Sequence, residues 1–141
     1  MEHIANVKLY IMTSLGVIGG GCAYFLGGWD TALQTLLLFM AIDYVTGLII
    51  AGVFKKSNKT EHGALESKAG RLGLFRKGMT LLIVLIAHHL DNMIGSDFIR
   101  TGVIIAYIVN EAISITENAG IMGVPIPDVI KKGIEALQQK E

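Results

Sequence analysis

From Trp29 to Phe54 the chain reads WDTALQTLLLFMAIDYVTGLIIAGVF, an almost wholly apolar run with one carboxylate, Asp43, at its middle. Leu33 to Phe54 would make about 33 Å of α-helix at ~1.5 Å per residue, which matches a bilayer core of roughly 30 Å. On insertion scales a central Asp costs ~2.5 to 3.5 kcal/mol, and each Leu, Ile, Val or Phe returns up to ~0.6 kcal/mol, so the helix inserts with Asp43 in place. Helical spacing puts Thr46, Gly47 and Ala51 on the Asp43 face. That small, polar face must point at protein or water, because lipid satisfies none of its polar groups.

The remaining apolar blocks follow the same logic. Hydrophobic residues make up 52% of the 141, charged residues only 17%, and the excess is gathered into segments. Residues 9–26 form a first candidate span, read as retained and not as a cleaved signal. Along it Gly16, Gly20, Ala23 and Gly27 recur at three- and four-residue steps as a small-residue stripe suited to close helix packing. The short turn through Gly27, Gly28, Trp29 and Asp30 predicts an antiparallel hairpin of the first two spans, with Asp30 as N-cap of the second.

Residues 55–77 are polar and basic, carrying Lys55, Lys56, Lys59, Lys68, Arg71, Arg76 and Lys77 against Glu61 and Glu66. The positive-inside rule places this loop on the cytoplasmic side. Residues 78–94 form a third span, shorter in its apolar run and closing on His88, His89 and Asp91. Residues 98–115 form a fourth, whose continuation gathers Tyr107, Asn110, Glu111, Ser114, Glu117 and Asn118 on one side. Residues 127–139 predict an amphipathic helix on the inner membrane surface or on another subunit. The expected architecture is a single all-α membrane domain of four transmembrane helices plus this C-terminal helix. With both termini cytoplasmic, eleven of the twelve Lys and Arg residues lie inside and only Arg100 outside.

Counting from each span's centre puts Asp43 near the midplane, His88 roughly 3 Å outward and Glu111 roughly 7 Å inward. An Asp43–His88 contact and a Lys77–Glu111 contact are both expected. Such groups serve a proton or ion path, or act as paired polar glue between helices. No cofactor is implied, and His88, His89, Asp91 and Glu111 lack metal-ligand spacing. No nucleophile–base arrangement or phosphate loop points to an enzyme. A formal net charge of zero gives no case for a nucleic-acid partner, and the lone Cys22 supports no disulfide.

Trp29-Asp30, the FMAIDYVTG run from Phe39 to Gly47, Ala87-His88 with Leu90-Asp91, YIVNEAISITEN from Tyr107 to Asn118, and Gly123-Val124-Pro125-Ile126-Pro127 occur in that order. In these landmarks the chain resembles the phage-lysis and toxin-secretion holins of Gram-positive bacteria and their phages. The resemblance covers most of the chain from about Gly27; the stretch from Lys56 to Gly63 departs from the family pattern. It implies a homo-oligomer in the bacterial cytoplasmic membrane that opens lesions through which an endolysin or a signal-less toxin leaves as cargo. It further implies that Asp43, Thr46, Gly47, His88, Asp91, Asn110, Glu111 and Ser114 face a subunit interface or a water-filled lumen. A small proton-coupled transporter using Asp43 is the alternative.

Overall fold

The described residues are built into helices, and Asp30 marks the start of the second. The structure, a computed structural model, describes residues 1–139. It contains α1 (Glu2–Phe25), α2 (Thr31–Ile49, continued by a π-helical turn over Ile50–Phe54), α3 (Ser67–Ile94), α4 (Phe98–Ile121) and α5 (Asp128–Gln138). The Asp30 carboxylate accepts from the Leu33 N–H at 2.8 Å and so caps α2, as its position before the apolar run predicts. Among the described residues, Glu2–Phe25, Thr31–Phe54 and Phe98–Ile121 are long and apolar enough to cross a membrane. Lys140, counted above among the cytoplasmic basic residues, lies outside the described residues.

Helix α4 is the centre of the bundle and packs on α2, α3 and α5. Its Ile104 and Ile108 meet Leu36 and Met40 of α2 and Val84 of α3 in one buried cluster. Leu137 of α5 packs against the same cluster. The final helix therefore touches its own chain through Leu137, and none of its residues is buried. Val129 and Ile130 remain exposed on it.

Two expectations change. The third helix begins at Ser67 and not at Gly78, so the irregular part of the basic segment is only residues 55–66. Nothing in Ser67–Lys77 breaks a helix: there is no proline, and Gly70 and Gly73 are used in packing. The first two helices also do not form a packed hairpin. Along α1 only Ala23 is buried, and an added Cβ at Gly16 or Gly20 would meet nothing within 4 Å. Gly27 is a turn residue at φ +91°, with Gly28 following at φ +103°, so it leaves the small-residue stripe altogether.

The turn is set by Arg100. This buried guanidinium donates from Nη1 to Asp30 Oδ2 at 2.6 Å, from Nε to the Leu26 carbonyl at 2.5 Å and from Nη2 to the Gly28 carbonyl at 3.4 Å. Its own backbone N–H donates to Asp91 Oδ2 at 2.8 Å, and the Ile99 N–H donates to Asp91 Oδ1 at 3.1 Å. Asp91 thus satisfies the orphan donors at the start of α4 from the end of α3, across the bend made by Gly95 at φ +70°. The Ser96 hydroxyl completes its partners. His88, expected beside Asp43, stands here instead, paired with Asn92 at 3.1 Å.

Gly27 is pressed into this clamp: an added Cβ would lie 2.5 Å from Arg100 Nε and 2.8 Å from His88 Nδ1. Gly27→Ala is expected to destabilise the fold by about 2 kcal/mol or more, from positive-φ strain and displacement of Arg100. Gly16→Ala, on open helix, is expected to change stability by less than about 0.5 kcal/mol. Thermal unfolding followed by circular dichroism in detergent compares them. The hydrogen bond from Arg100 holds the Asp30 carboxyl below its ordinary range, opposed by partial burial. A depressed folded pKa contributes stability above the unfolded value and loses it as pH falls through the folded one. Acidification below about pH 4 should lower the wild-type melting temperature, and Asp30→Asn, which keeps a capping oxygen, should lack that component.

Candidate functional site

Gly70 and Gly73 lie on the face of α3 turned towards α2, where added Cβ atoms would stand 3.5 Å from the Tyr44 hydroxyl oxygen and 3.8 Å from Tyr44 Cε2. Their missing side chains let Tyr44 lie against the α3 backbone, and one turn on from Gly73 the same face presents Lys77. Its ammonium donates to Asp43 Oδ2 at 2.9 Å and to Glu111 Oε2 at 2.6 Å. One lysine from α3 thus joins carboxylates from α2 and α4. All three are withdrawn from solvent, with side-chain exposures of 14% for Lys77 and 8% for each carboxylate.

The other oxygen of Asp43 accepts from the Ser114 hydroxyl at 2.5 Å and from the Asn118 amide at 3.2 Å. Asn118 also donates to Thr46 Oγ1 at 2.9 Å, while the Thr46 hydroxyl donates back to the Ile42 carbonyl at 2.8 Å. Glu111, Ser114 and Asn118 recur at three- and four-residue steps along α4, as Asp43 and Thr46 do along α2, so two helical stripes close face to face. Lys59 approaches Asp43 Oδ1 at 3.9 Å from the 55–66 loop. The four formal charges then sum to zero.

The network borders a cleft of about 450 Å³ lined by Asp43, Arg76, Lys77, Asn110, Glu111 and Glu117, among others. Asn110 is exposed on this wall and makes no side-chain hydrogen bond among the described residues. Gly47 and Ala51 border a smaller cavity under the loop, beside Lys59 and Thr60. Lys55, at φ +52°, and Lys56 begin that loop, exposed.

The structure therefore brings together Asp43, Thr46, Glu111 and Ser114 and separates His88 and Asp91 from them. The reason is register. With Lys77 level with Asp43, His88 lies eleven residues further along α3, about 16 Å away along the axis. The Lys77–Glu111 contact forms as the depth count predicts. Reading the sequence missed that the same ammonium holds Asp43, that Lys59 backs it, and that Asn118 ties the two stripes. For Asn118 the signal was present in its spacing from Glu111 and Ser114. The two carboxylates share an ammonium.

Removing that ammonium leaves buried Glu111 without a counter-charge and Asp43 with only the more distant, exposed Lys59. Lys77→Met is expected to cost about 3 to 5 kcal/mol. Adding Asp43→Asn and Glu111→Gln to it should recover most of the loss, because the uncompensated charge is gone. Melting temperatures of the single and triple variants in one detergent check both statements.

A model of the bacteriophage holin family matches residues 20–139. The chain is 37% identical over 143 aligned positions to an uncharacterized 14.9 kDa protein in the nagH 3′ region of Clostridium perfringens, covering 100% of both. A protein of Halalkalibacterium halodurans is 37% identical over 134 positions, 91% of this chain and 93% of its own. A protein of Bacillus phage phi105 described as a probable holin is 32% identical over 115 positions, 81% of this chain and 79% of its own. No solved structure matches.

Proposed function

Since the chain belongs to the bacteriophage holin family, we propose that it oligomerises in the bacterial cytoplasmic membrane and opens lesions that release an endolysin or a signal-less toxin. In this reading α3 crosses as a fourth span beside the three more apolar helices. Both termini and the basic residues of 55–77, including Lys55, Lys56, Arg76 and Lys77, are then cytoplasmic. The cargo passes through the lesion and needs no binding site on the chain.

The observation that carries the proposal is the shared Lys77 bridge between Asp43 and Glu111. In the single chain these charges face one another, and the surfaces left outward are largely apolar. A buried ion pair is nearly balanced against its own hydration, since the Coulombic gain is offset by desolvation of both partners. Exchanging those contacts for water therefore changes little free energy, provided that water reaches all partners together. Separation of α2 from α3 and α4 would turn Asp43, Asn110, Glu111 and Ser114 into the wall of an aqueous opening, while the apolar backs of the helices stay in lipid. The exposed α1, with Gly16 and Gly20 open, supplies a surface for contact between copies.

Expression in bacterial cells with cytoplasmic reporters of graded size tests this. Wild type is expected to end growth abruptly and release protein-sized reporters. Asp43→Asn weakens the tie to Lys77 and is expected to shift the time of release. Intact cells showing proton-dependent flux of a small solute, lost in Asp43→Asn, would replace the proposal with a transporter.

A further inference from the structure

Helix α3 has 28 residues, about 42 Å of length against a hydrocarbon core of roughly 30 Å. Its far end is fixed by Gly95 and by Asp91, which holds the start of α4. Lys77, level with Asp43 near the middle of its own span, stands ten residues or about 15 Å from Ser67, so the first turn of α3 reaches the depth of the lipid headgroups.

On that end Lys68, Arg71, Leu72, Phe75, Arg76 and Met79 are related by three- and four-residue spacings and share one side of the helix. All six are exposed. The opposite face, Gly70, Gly73 and Lys77, is the one turned to Tyr44 and Asp43. No acidic residue falls within the exposed arc, and among the described residues none of Lys68, Arg71 and Arg76 takes part in a salt bridge. Phe75, 74% exposed, follows Lys68 and Arg71 one turn further towards the middle of the helix.

We propose that this face of α3 binds an anionic phospholipid of the cytoplasmic leaflet. Lys68 and Arg71 take the phosphodiester and its headgroup, and Leu72 and Phe75 lie along the acyl chain. Charge complementarity selects the occupant: the two uncompensated cations Lys68 and Arg71 attract a lipid of net negative charge, whereas a zwitterionic headgroup brings its own cation to the same place. The inference rests on the reading of α3 as a span entered from the cytoplasmic side.

The test uses the full chain carrying Trp29→Phe and Phe75→Trp, which leaves one tryptophan on this face. The protein is reconstituted in phosphatidylcholine vesicles containing either phosphatidylglycerol or phosphatidylcholine with brominated acyl chains, at equal mole fraction. Stronger quenching by the brominated phosphatidylglycerol is expected, with a preference of about fivefold per basic residue engaged. Lys68→Gln with Arg71→Gln should sharply reduce the preference, and Lys131→Gln with Lys132→Gln, which removes the same charge from α5, should leave it. Equal quenching by both lipids overturns the proposal and leaves α3 in the membrane. Equal loss in the two charge variants also overturns it, reducing the effect to bulk attraction. Absence of quenching by either lipid overturns both the lipid site and the placement of α3.

Discussion

A carboxylate in the middle of an apolar helix has to be answered from another element, and the answer fixes where that element stands. Lys77 gives this answer twice, to Asp43 and to Glu111, so a single ammonium sets the register of α2, α3 and α4. Apolar contacts such as Leu36 with Ile104 and Val84 are less selective. One turn of slippage would still pair hydrocarbon with hydrocarbon, but it would leave two buried anions without a cation. In a medium where apolar side chains have no preference for one another over lipid, polar contacts carry much of the specificity.

The opposite end of the bundle uses another device. There Arg100 gathers backbone carbonyls and the Asp30 carboxylate around a turn that already has two residues at positive φ, and Asp91 caps α4 from the neighbouring helix. The two ends differ in exposure: Asp30 is partly open, whereas the Lys77 bridge is almost closed. Between them α4 is held at both ends, and α2, α3 and α5 pack on it.

Much of this was legible in the residues. Asp43 with Thr46, and Glu111 with Ser114 and Asn118, are helical stripes that must be buried against something, and Asp30 before an apolar run reads as a cap. The partner of Asp43 was harder to see. Counting depth from a third span centred within 78–94 aligned it with His88, because the basic residues before Gly78 looked like loop. Lys68, Arg71 and Arg76 are compatible with helix or loop. Only tertiary contact decides: Tyr44 lying over Gly70 and Gly73 extends α3 to Ser67 and moves its register. The position of α1 was illegible for the opposite reason. Its apolar residues surround the helix, so no periodicity says which side is meant for its own chain. Gly27 spaced like a packing glycine yet serves the turn, a distinction that depends on Arg100, seventy-three residues further on.

The isolation of α1 has a consequence for how assembly depends on amount. A helix packed within its own chain has the same neighbours in a sparse membrane as in a crowded one. A helix without neighbours in its own chain does not. Whatever contacts α1 makes with other copies are governed by mass action in two dimensions, with an occupancy set by copies per unit area of membrane. The bundle and the arm then answer to different variables, one to its own sequence and the other to surface density. In the proposed assembly, a chain divided in this way would keep its bundle at any density and register through α1 how many of its kind are present.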